Sequence, residues 1–382
     1  MSTVDFLVIG AGMAGASTGF FLAPHGRVLL LERESQPGYH STGRSAALFS
    51  ETYGGEQVRI LSRASRPFLA HPPAGFCDTP ILTPRGALMV GGPNDDALIE
   101  TELAAMQRIT PEVSRWEAAE VLARVPVLRA QTTGRAIFEP GACDIDVHTL
   151  HQGFLRGIRS QAGQIVCDAP VDRIERIAGL WHVFSGTREW SAPVLVNAAG
   201  AWADVVARMA GVRPIGLQPK RRSAFTFAAP DGLNTRDWPM VIALDEAWYF
   251  KPDAGALLGS PANADPVEPH DVQAEELDIA TAIHHIEEAT TLSIRRPTRV
   301  WAGLRSFVQD GALVGGPAPD EPAMCWVAAQ GGYGIQTSAA MGEACAALAR
   351  GVPIPASLAA AGVTAEMLSA ARLVPASRGA VS

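Results

Sequence analysis

The first 32 residues constrain the fold more than any other part of the chain, because they read as strand, glycine turn, helix and strand in succession. Residues 4–9 are apolar except for Asp5, as is typical of a buried parallel strand. The glycine-rich residues 10–15 follow, and a helix of small residues is predicted over 13–23. A second β-rich run covers residues 27–31. This β-α-β unit predicts a parallel sheet covered by helices.

The glycine turn has the G-x-G-x-x-G spacing at Gly10, Gly12 and Gly15. The first glycine permits a tight turn, the second lets a pyrophosphate approach the backbone, and the third lets helix and strand pack closely. The helix N-terminus offers free N–H groups and its positive dipole end to the phosphates. Glu32 lies 22 residues after Gly10, where a carboxylate accepts a hydrogen bond from a ribose hydroxyl. The sequence therefore predicts a dinucleotide-binding site.

The composition excludes several classes of protein. The 382 residues carry a formal net charge of −8, which argues against a nucleic-acid-binding protein. The odd number of cysteines, five, and the absence of a C-x-x-C motif favour reduced thiols in the cytoplasm and no cysteine zinc site. His148 and His151 have a metal-like spacing but no evident third ligand, so no metal is predicted. The uncharged residues 6–23 contain four glycines, and a strand, turn and helix explain them better than membrane insertion.

Two later segments repeat the features of the first. Apolar runs at residues 192–197 and 325–330 each end near glycines, and an Ala-rich helix follows the second. Asp146 is predicted to cap a helix over residues 147–162. The intervening segments hold Pro-rich turns and short alternating strands. The sequence therefore predicts a nucleotide-binding domain assembled from residues 1–48, 141–216 and 299–382, and a substrate domain assembled from residues 49–140 and 217–298.

Further motifs carry a resemblance to a known family. After Glu32 come Arg33 and a loop of small and hydroxyl-bearing residues over 40–47. The sequence resembles the D-amino-acid oxidase superfamily of flavoproteins, and within it the bacterial FAD-dependent D-arginine dehydrogenases. The resemblance implies an α/β fold with a Rossmann-type FAD-binding domain and an inserted β-sheet-rich α+β substrate domain. The matching stretches are residues 8–17, 36–47, 151–158, 194–202, 216–225, 251–266, 286–291, 301–307 and 326–343.

The cofactor implied by the resemblance is FAD. Family members with a covalent flavin attach it to a cysteine or histidine near the ring, and residues 331–337 contain neither, so non-covalent FAD is expected. On the adenine side, the glycine motif and the resemblance together give Gly10, Gly12, Ala14, Gly15, Glu32, Arg33 and Val171. On the flavin side, the resemblance gives Ser41, Thr42, Ser45, Ala46, Ala47, Ala199, Gly200, Gly303, Arg305, Gly331, Gly332, Tyr333, Gly334, Ile335, Gln336 and Thr337.

A substrate carboxylate is best bound by a buried arginine, because the planar guanidinium can bind both oxygens. Strand alternation places Arg222 and Arg221 on opposite faces, so the two should differ in role. Consecutive basic residues are most often a solvated face, but the resemblance assigns Arg222 and Arg305 to the substrate carboxylate. It also implies that Tyr53 and Tyr249 are catalytic-site residues on the pocket walls. The remaining pocket residues that it implies are Leu48, Ala87, Met240, Ile242 and Gly332.

The implied reaction is oxidation of a D-amino acid by hydride transfer from Cα to FAD N5. The imino acid then hydrolyses to a 2-oxo acid and ammonia. Two departures bear on the substrate: Ala87 stands where D-arginine dehydrogenases have a glutamate for the guanidinium, and Leu48 where they have a histidine. A desolvated cation without a carboxylate partner is costly. We therefore predict a preference for neutral or apolar D-amino acids, with Glu51 as the one nearby acid able to restore cation binding.

Two other functions stay open at this point. The same scaffold oxidises secondary amines, N-alkyl amino acids or opines, and a flavin-binding subunit of an electron-transfer complex needs no catalysis of its own. Retention of Arg222, Arg305, Tyr53 and Tyr249 disfavours the second of these. The expected partners are an amino-acid substrate and an external electron acceptor, either O2 or a quinone-like compound. The chain is expected to be a monomer or a homodimer.

Overall fold

The computed structural model describes residues 2–373. The strands are β1 (Ser2–Thr3), β2 (Phe6–Ile9), β3 (Val28–Leu31), β4 (Leu48–Phe49), β5 (Leu82–Pro84), β6 (Ala87–Val90), β7 (Ser114–Trp116), β8 (Ala136–Glu139), β9 (Cys143–Ile145), β10 (Gln164–Val166), β11 (Arg173–Ile177), β12 (Leu180–Ser185), β13 (Arg188–Ala192), β14 (Val194–Asn197), β15 (Gln218–Phe227), β16 (Met240–Ala243), β17 (Tyr249–Asp253), β18 (Ala256–Ser260), β19 (Asp265–Pro266), β20 (Arg299–Phe307), β21 (Val314–Pro317) and β22 (Met324–Ala328). The helices are α1 (Met13–Leu22), α2 (Glu56–Ala70), α3 (Asp96–Gln107), α4 (Ala118–Arg124), α5 (Val147–Ser160), α6 (Ala203–Met209), α7 (Glu276–Ala289), α8 (Ser338–Ala349), α9 (Ala356–Ala360) and α10 (Ala365–Leu368).

A six-stranded sheet forms the centre of the nucleotide-binding part, in the order β10-β3-β2-β14-β22-β21. Its strands are parallel except for the β21–β22 pair. All four residues of β2 and of β3 are buried, which explains their continuous apolar runs. The parallel register brings the carboxyl ends of β2, β14 and β22 to one edge, the usual place for a ligand in such sheets.

Helix α1 follows β2 through the glycine turn and packs against α5 and α8. The uncharged residues 6–23 are therefore a buried strand, a turn and a helix, as predicted. Asp146 caps α5 by accepting a hydrogen bond from the N–H of Thr149 at 2.8 Å, which confirms the predicted start of that helix. Within residues 2–373, no helix is both long and apolar enough to cross a bilayer.

A nine-stranded mixed sheet forms the second large layer, in the order β19-β15-β18-β17-β16-β6-β8-β7, and β20 pairs with β15 off this path. Helix α7 covers one face, where Phe225, Phe227, Ile279 and Ile286 share an apolar core. The opposite face is turned towards the site described below. Two small sheets, β1-β13-β12-β11 and β4-β9-β5, complete the fold.

The structure confirms the predicted fold class: a Rossmann-type parallel sheet accompanied by a second part rich in β-sheet. The domain boundaries remain a proposal. The antiparallel pairing of β20 with β15 along the length of β20 favours moving the last boundary from residue 298 to the end of β20. Sequence alone does not reveal that pairing, because β15 and β20 are separated by more than seventy residues.

Candidate active site

The glycine turn after β2 has the geometry that its sequence predicts. Gly10 has a φ of +100°, in the left-handed region, and a Cβ there would collide with the carbonyl oxygen of Ala198. A Cβ at Gly15 would collide with the carbonyl of Gly10, so α1 can pack closely on the turn only with a glycine there. Gly12 has no side chain with which to cap α1, and the first turn of α1 contains no acidic residue. This N-terminus is therefore open to an anionic group.

Three side chains hold the turn in place. The Glu32 carboxylate accepts a hydrogen bond from the N–H of Ala11 at 3.0 Å, and Thr42 Oγ1 accepts one from the N–H of Met13 at 2.9 Å. His151, on α5, donates from Nε2 to the carbonyl oxygen of Ala11 at 2.8 Å. Burial lowers the pKa of His151, so its imidazole is neutral at neutral pH. The turn is thus fixed by residues of three separate segments.

A cavity of about 350 Å³ extends from Glu32 along the glycine turn to Arg222 and Arg305. At the Glu32 end, the Arg33 guanidinium lies 5.0 Å from the centre of the Trp202 ring. Trp202 and Tyr39 also line the cavity and were not singled out from the sequence. The predicted cofactor residues that line the cavity are Gly10, Gly12, Ala14, Glu32, Arg33, Ser41, Thr42, Ser45, Ala46, Val171, Ala199, Gly200, Gly303, Arg305, Gly331, Gly332, Gly334 and Ile335.

The remaining predicted cofactor residues lie nearby. Ala47, Tyr333 and Gln336 line a second cavity, which adjoins the first. Gly15 lies beneath the glycine turn, and Thr337 is buried directly before α8, where its hydroxyl donates to the carbonyl of Tyr333 at 2.9 Å. These two residues support the cavity wall rather than line it.

The residues present fit a dinucleotide such as FAD. The cavity has a cradle without side chains at Gly10 and Gly12, a helix N-terminus with no acidic residue in its first turn, and a glycine-rich loop before α8 at its other end. Among the described residues that line it there is no cysteine, and the one histidine is His40. His40 bonds Glu34 at 2.9 Å and lies against Trp202, near the Arg33 end. This arrangement suits non-covalent binding.

The second cavity, of about 530 Å³, shares Arg222, Tyr249, Arg305 and the loop at Ser45 and Ala46 with the first. Its floor is the nine-stranded sheet, whose register sets two rows of side chains. One row is Met240, Ala87 and Glu139, and the next is Ile242, Met89 and Ile137. The predicted pocket residues Leu48, Tyr53, Ala87, Met240, Ile242 and Gly332 all line this cavity.

Arg222 and Arg305 come from the neighbouring strands β15 and β20 and meet where the two cavities join. Arg222 donates from Nε to the carbonyl of Asn263 at 2.6 Å, and Arg305 donates to the Tyr53 hydroxyl at 3.4 Å. Within residues 2–373, neither guanidinium forms an ion pair with an acidic side chain. Burial lowers the pKa of Arg222, and the positive charge of Arg305 lowers it further. Two half-buried cations without a counter-ion form a site for a carboxylate.

Arg221 has a different environment, as strand alternation predicts. It lies on the opposite face of β15 and binds Asp278 at 2.9 Å, Asp265 at 3.3 Å, and Glu275. These contacts fasten α7 to the sheet. Arg221 is thus fully neutralised by its own chain, whereas Arg222 is left for a ligand.

The structure places a different acid beside Ala87 from the one that the sequence suggested. Glu139 lines the second cavity directly opposite Ala87 in the register and is only 5% exposed. Glu51, which the sequence suggested as the compensating acid, does not line the cavity; its carboxylate binds Arg66 at 3.0 Å. Nothing in the sequence pointed to Glu139, because only the pairing of β6 with β8 brings it to Ala87. Three further charged residues missed from the sequence line this cavity: Arg59, Glu102 and Glu246.

Two tyrosines pack against each other beside the arginines. The rings of Tyr53 and Tyr333 lie 5.1 Å apart, centre to centre. Burial raises the pKa of Tyr333, and the neighbouring Tyr53 raises it further, so its hydroxyl is protonated at neutral pH. Burial acts to lower the pKa of Arg305, but Tyr53 and Tyr249 raise it overall. Tyr333 therefore offers a neutral hydroxyl group beside the two guanidinium groups.

Comparison with known proteins agrees with this geometry. A family model described as DAO, FAD dependent oxidoreductase, matches residues 5–348. L-2-Hydroxyglutarate dehydrogenase from Salmonella houtenae is 28% identical over 225 residues, and this match spans 55% of the chain and only half of that relative. Glycine oxidase from Geobacillus kaustophilus has a similar fold, with a TM-score of 0.81, 20% identity, and coverage of 92% of this chain and 96% of that one. Iminodiacetate oxidase from Chelativorans sp. BNC1 gives a TM-score of 0.80 at 21% identity, covering 95% and 98%. Because the family model covers most of its length, the chain belongs to the DAO family of FAD-dependent oxidoreductases, and its cofactor is FAD.

Proposed function

We propose that this protein oxidises D-amino acids to imino acids, which water hydrolyses to 2-oxo acids and ammonia. The resemblance of the sequence to the D-arginine dehydrogenases supports this proposal. The observation that carries the proposal is the pair of guanidinium groups, Arg222 and Arg305, at the junction of the cofactor cavity and the second cavity. A site of this kind holds an amino acid by its carboxylate while leaving the side chain in the second cavity.

The residues of the chain act mainly by orientation. Arg222 and Arg305 bind the two carboxylate oxygens and so fix the position of Cα. Tyr53 and Tyr249 close the wall beside the carboxylate, and their hydroxyl groups offer hydrogen bonds. FAD, when bound, supplies the acceptor for the hydride that leaves Cα. The amine is neutral on binding and loses a proton as the imine forms.

The second cavity favours a neutral or apolar side chain. Five of the six residues in the two floor rows are apolar, and Leu48 faces the same cavity. Glu139 is the exception, but its carboxylate already accepts three hydrogen bonds, from Ser50, Glu51 and Thr52. A carboxylate has about four acceptor positions, so Glu139 has little capacity left for a guanidinium. This supports the preference first predicted from Ala87.

Steady-state kinetics with a panel of D-amino acids test this preference. We expect kcat/KM for D-methionine, D-leucine and D-phenylalanine to exceed that for D-arginine and D-lysine by about tenfold or more, equivalent to about 1.4 kcal/mol. A higher kcat/KM for D-arginine than for all three neutral substrates would overturn the preference but not the reaction. The same panel with N-methyl amino acids separates primary-amine from secondary-amine oxidation.

The cellular context also remains a proposal. All five cysteines are free, including the partly exposed Cys77 and Cys167, and this favours a reducing compartment such as the cytoplasm. The final electron acceptor is O2 or a quinone-like compound. Mixing the reduced protein with air or with a soluble quinone, and following the return of flavin absorbance, distinguishes the two acceptors.

A further inference from the structure

Glu139 takes no part in the proposed site for the substrate carboxylate. The structure nevertheless holds its own buried carboxylate in a specific environment. Glu139 ends β8 and lies opposite Ala87 on the cavity floor. It is 5% exposed, and within residues 2–373 no cationic side chain forms an ion pair with it. A buried carboxylate without a cation must be stabilised by hydrogen-bond donors.

Those donors come from three successive residues. Oε2 accepts hydrogen bonds from the hydroxyls of Ser50 and Thr52, both at 2.7 Å, and Oε1 accepts one from the N–H of Glu51 at 2.9 Å. The other side of this segment is held by Gln336, which accepts from the N–H of Ser50 at 3.2 Å. The next residue along the chain is Tyr53, whose hydroxyl lies 3.4 Å from Arg305.

We propose that Glu139 is a positioning residue that fixes the backbone of residues 50–52, and thereby places Tyr53 against Arg305. The side chain of Glu51 points away to Arg66, so the contact runs through its backbone and the two hydroxyls. This segment occupies three of the about four acceptor positions of the Glu139 carboxylate. The importance of Tyr53 for substrate binding rests on the proposed function; the anchoring of residues 50–52 does not.

Fluorine NMR of the holoprotein labelled with fluorotyrosine tests the anchoring without turnover. The chain has four tyrosines, and the Tyr53 resonance is assigned by its loss in Tyr53→Phe. In Glu139→Ala, we expect the Tyr53 resonance to shift or broaden while that of Tyr39, at the far end of the cofactor cavity, stays in place. Asp204→Asn is the matched control, because Asp204 is also a buried carboxylate that holds a loop, through the N–H groups of Ile215 and Leu217. An unmoved Tyr53 resonance in Glu139→Ala, or an equal shift in the control, would overturn the proposal.

A double-mutant cycle adds a functional readout. We expect Glu139→Ala to lower kcat/KM for D-methionine by about tenfold, mostly through KM, but by less than about twofold in a Tyr53→Phe background, since coupled residues are not additive. Glu139→Gln, which keeps one carbonyl acceptor, should recover part of the loss. If Glu139→Ala lowered kcat/KM by the same factor in both backgrounds, Glu139 would act independently of Tyr53. A wild type without activity on any D-amino acid would contradict the proposed function alone, because the NMR result stands without it.

Discussion

At the scale of single residues, the site depends on which charges the chain neutralises itself. Arg221 and Arg222 are adjacent in sequence, but three carboxylates surround the first and none pairs with the second among the described residues. Arg305 is the second guanidinium left without an acid. A half-buried cation without an acidic partner is costly, so a bound anion would stabilise this arrangement. We therefore propose that the shape and charge of these two arginines bind the substrate.

Replacing Arg305 by lysine tests whether the planar shape of the guanidinium matters for substrate binding. Lysine keeps the positive charge but loses the planar fork that binds two oxygens. We expect Arg305→Lys to lower kcat/KM for D-methionine by about tenfold to a hundredfold, the range for hydrogen bonds to charged groups, with most of the change in KM. Steady-state kinetics measure this, and Arg115→Lys, at an exposed ion pair with Glu100, is the control. Unchanged KM in Arg305→Lys would mean that the carboxylate binds elsewhere.

The sequence predicts the placement of some residues of this site and misses that of others. The opposite orientation of Arg221 and Arg222 follows from the two-residue period of a strand, a purely local property. The proximity of Glu139 to Ala87 does not, because it depends on the register between β6 and β8, which are separated by α3, β7 and α4. The substitution at Ala87 was visible in the sequence, whereas the acid beside it was not.

At the scale of elements, the glycine turn and α1 form the proposed cofactor cradle, and Gly10→Ala tests its geometry. The new Cβ would meet the carbonyl of Ala198 and the backbone would be strained at a φ of +100°. We expect the purified variant to retain far less FAD, measured as the ratio of flavin to protein absorbance. Gly179→Ala is the matched control, because Gly179 has a φ of +84° with open space around it. Equal loss of FAD in both variants would mean that backbone strain at a positive φ, and not the collision in the glycine turn, releases the cofactor.

Helix α5 supports the same turn through His151, and this contact gives a pH dependence. Burial lowers the pKa of His151, so the native state keeps it neutral while the unfolded chain protonates it below its ordinary pKa of about 6.5. The unfolded state then binds more protons, and stability falls as the pH drops below that value. We expect the melting temperature to fall less between about pH 7.5 and about pH 5 in His151→Gln than in the wild type. If the melting temperatures of the two proteins fell equally with pH, this role of His151 would be ruled out.

Local sequence signals predict where a helix or strand lies better than they predict which other element it pairs with. The predicted strand, turn and helix at the start of the chain match β2 and α1 to within about two residues, and α5 begins where its cap Asp146 requires. Their signals are apolar runs, glycines and a cap, all read within a few residues. The position of β20 beside β15 is a long-range pairing, and the sequence prediction placed residues 299–307 with the cofactor domain instead.

At the scale of the whole molecule, the two large sheets meet at one continuous space. The carboxyl edge of the parallel sheet supplies the cofactor cavity, and the face of the nine-stranded sheet supplies the floor of the second cavity. The chain carries a net charge of −8, yet the junction of the cavities holds two positive charges without an acidic partner among the described residues. The cofactor and the proposed substrate are thereby brought together at Arg222 and Arg305.

The most direct test of this account is anaerobic reduction of the bound FAD by an amino acid. We expect D-methionine to bleach the visible flavin absorbance of the purified protein, with one equivalent of substrate consumed per flavin and a 2-oxo acid released. L-Methionine and N-methyl-D-methionine should leave the spectrum unchanged over the same time. Bleaching by the N-methyl compound or by a 2-hydroxy acid, with none by any D-amino acid, would contradict the account.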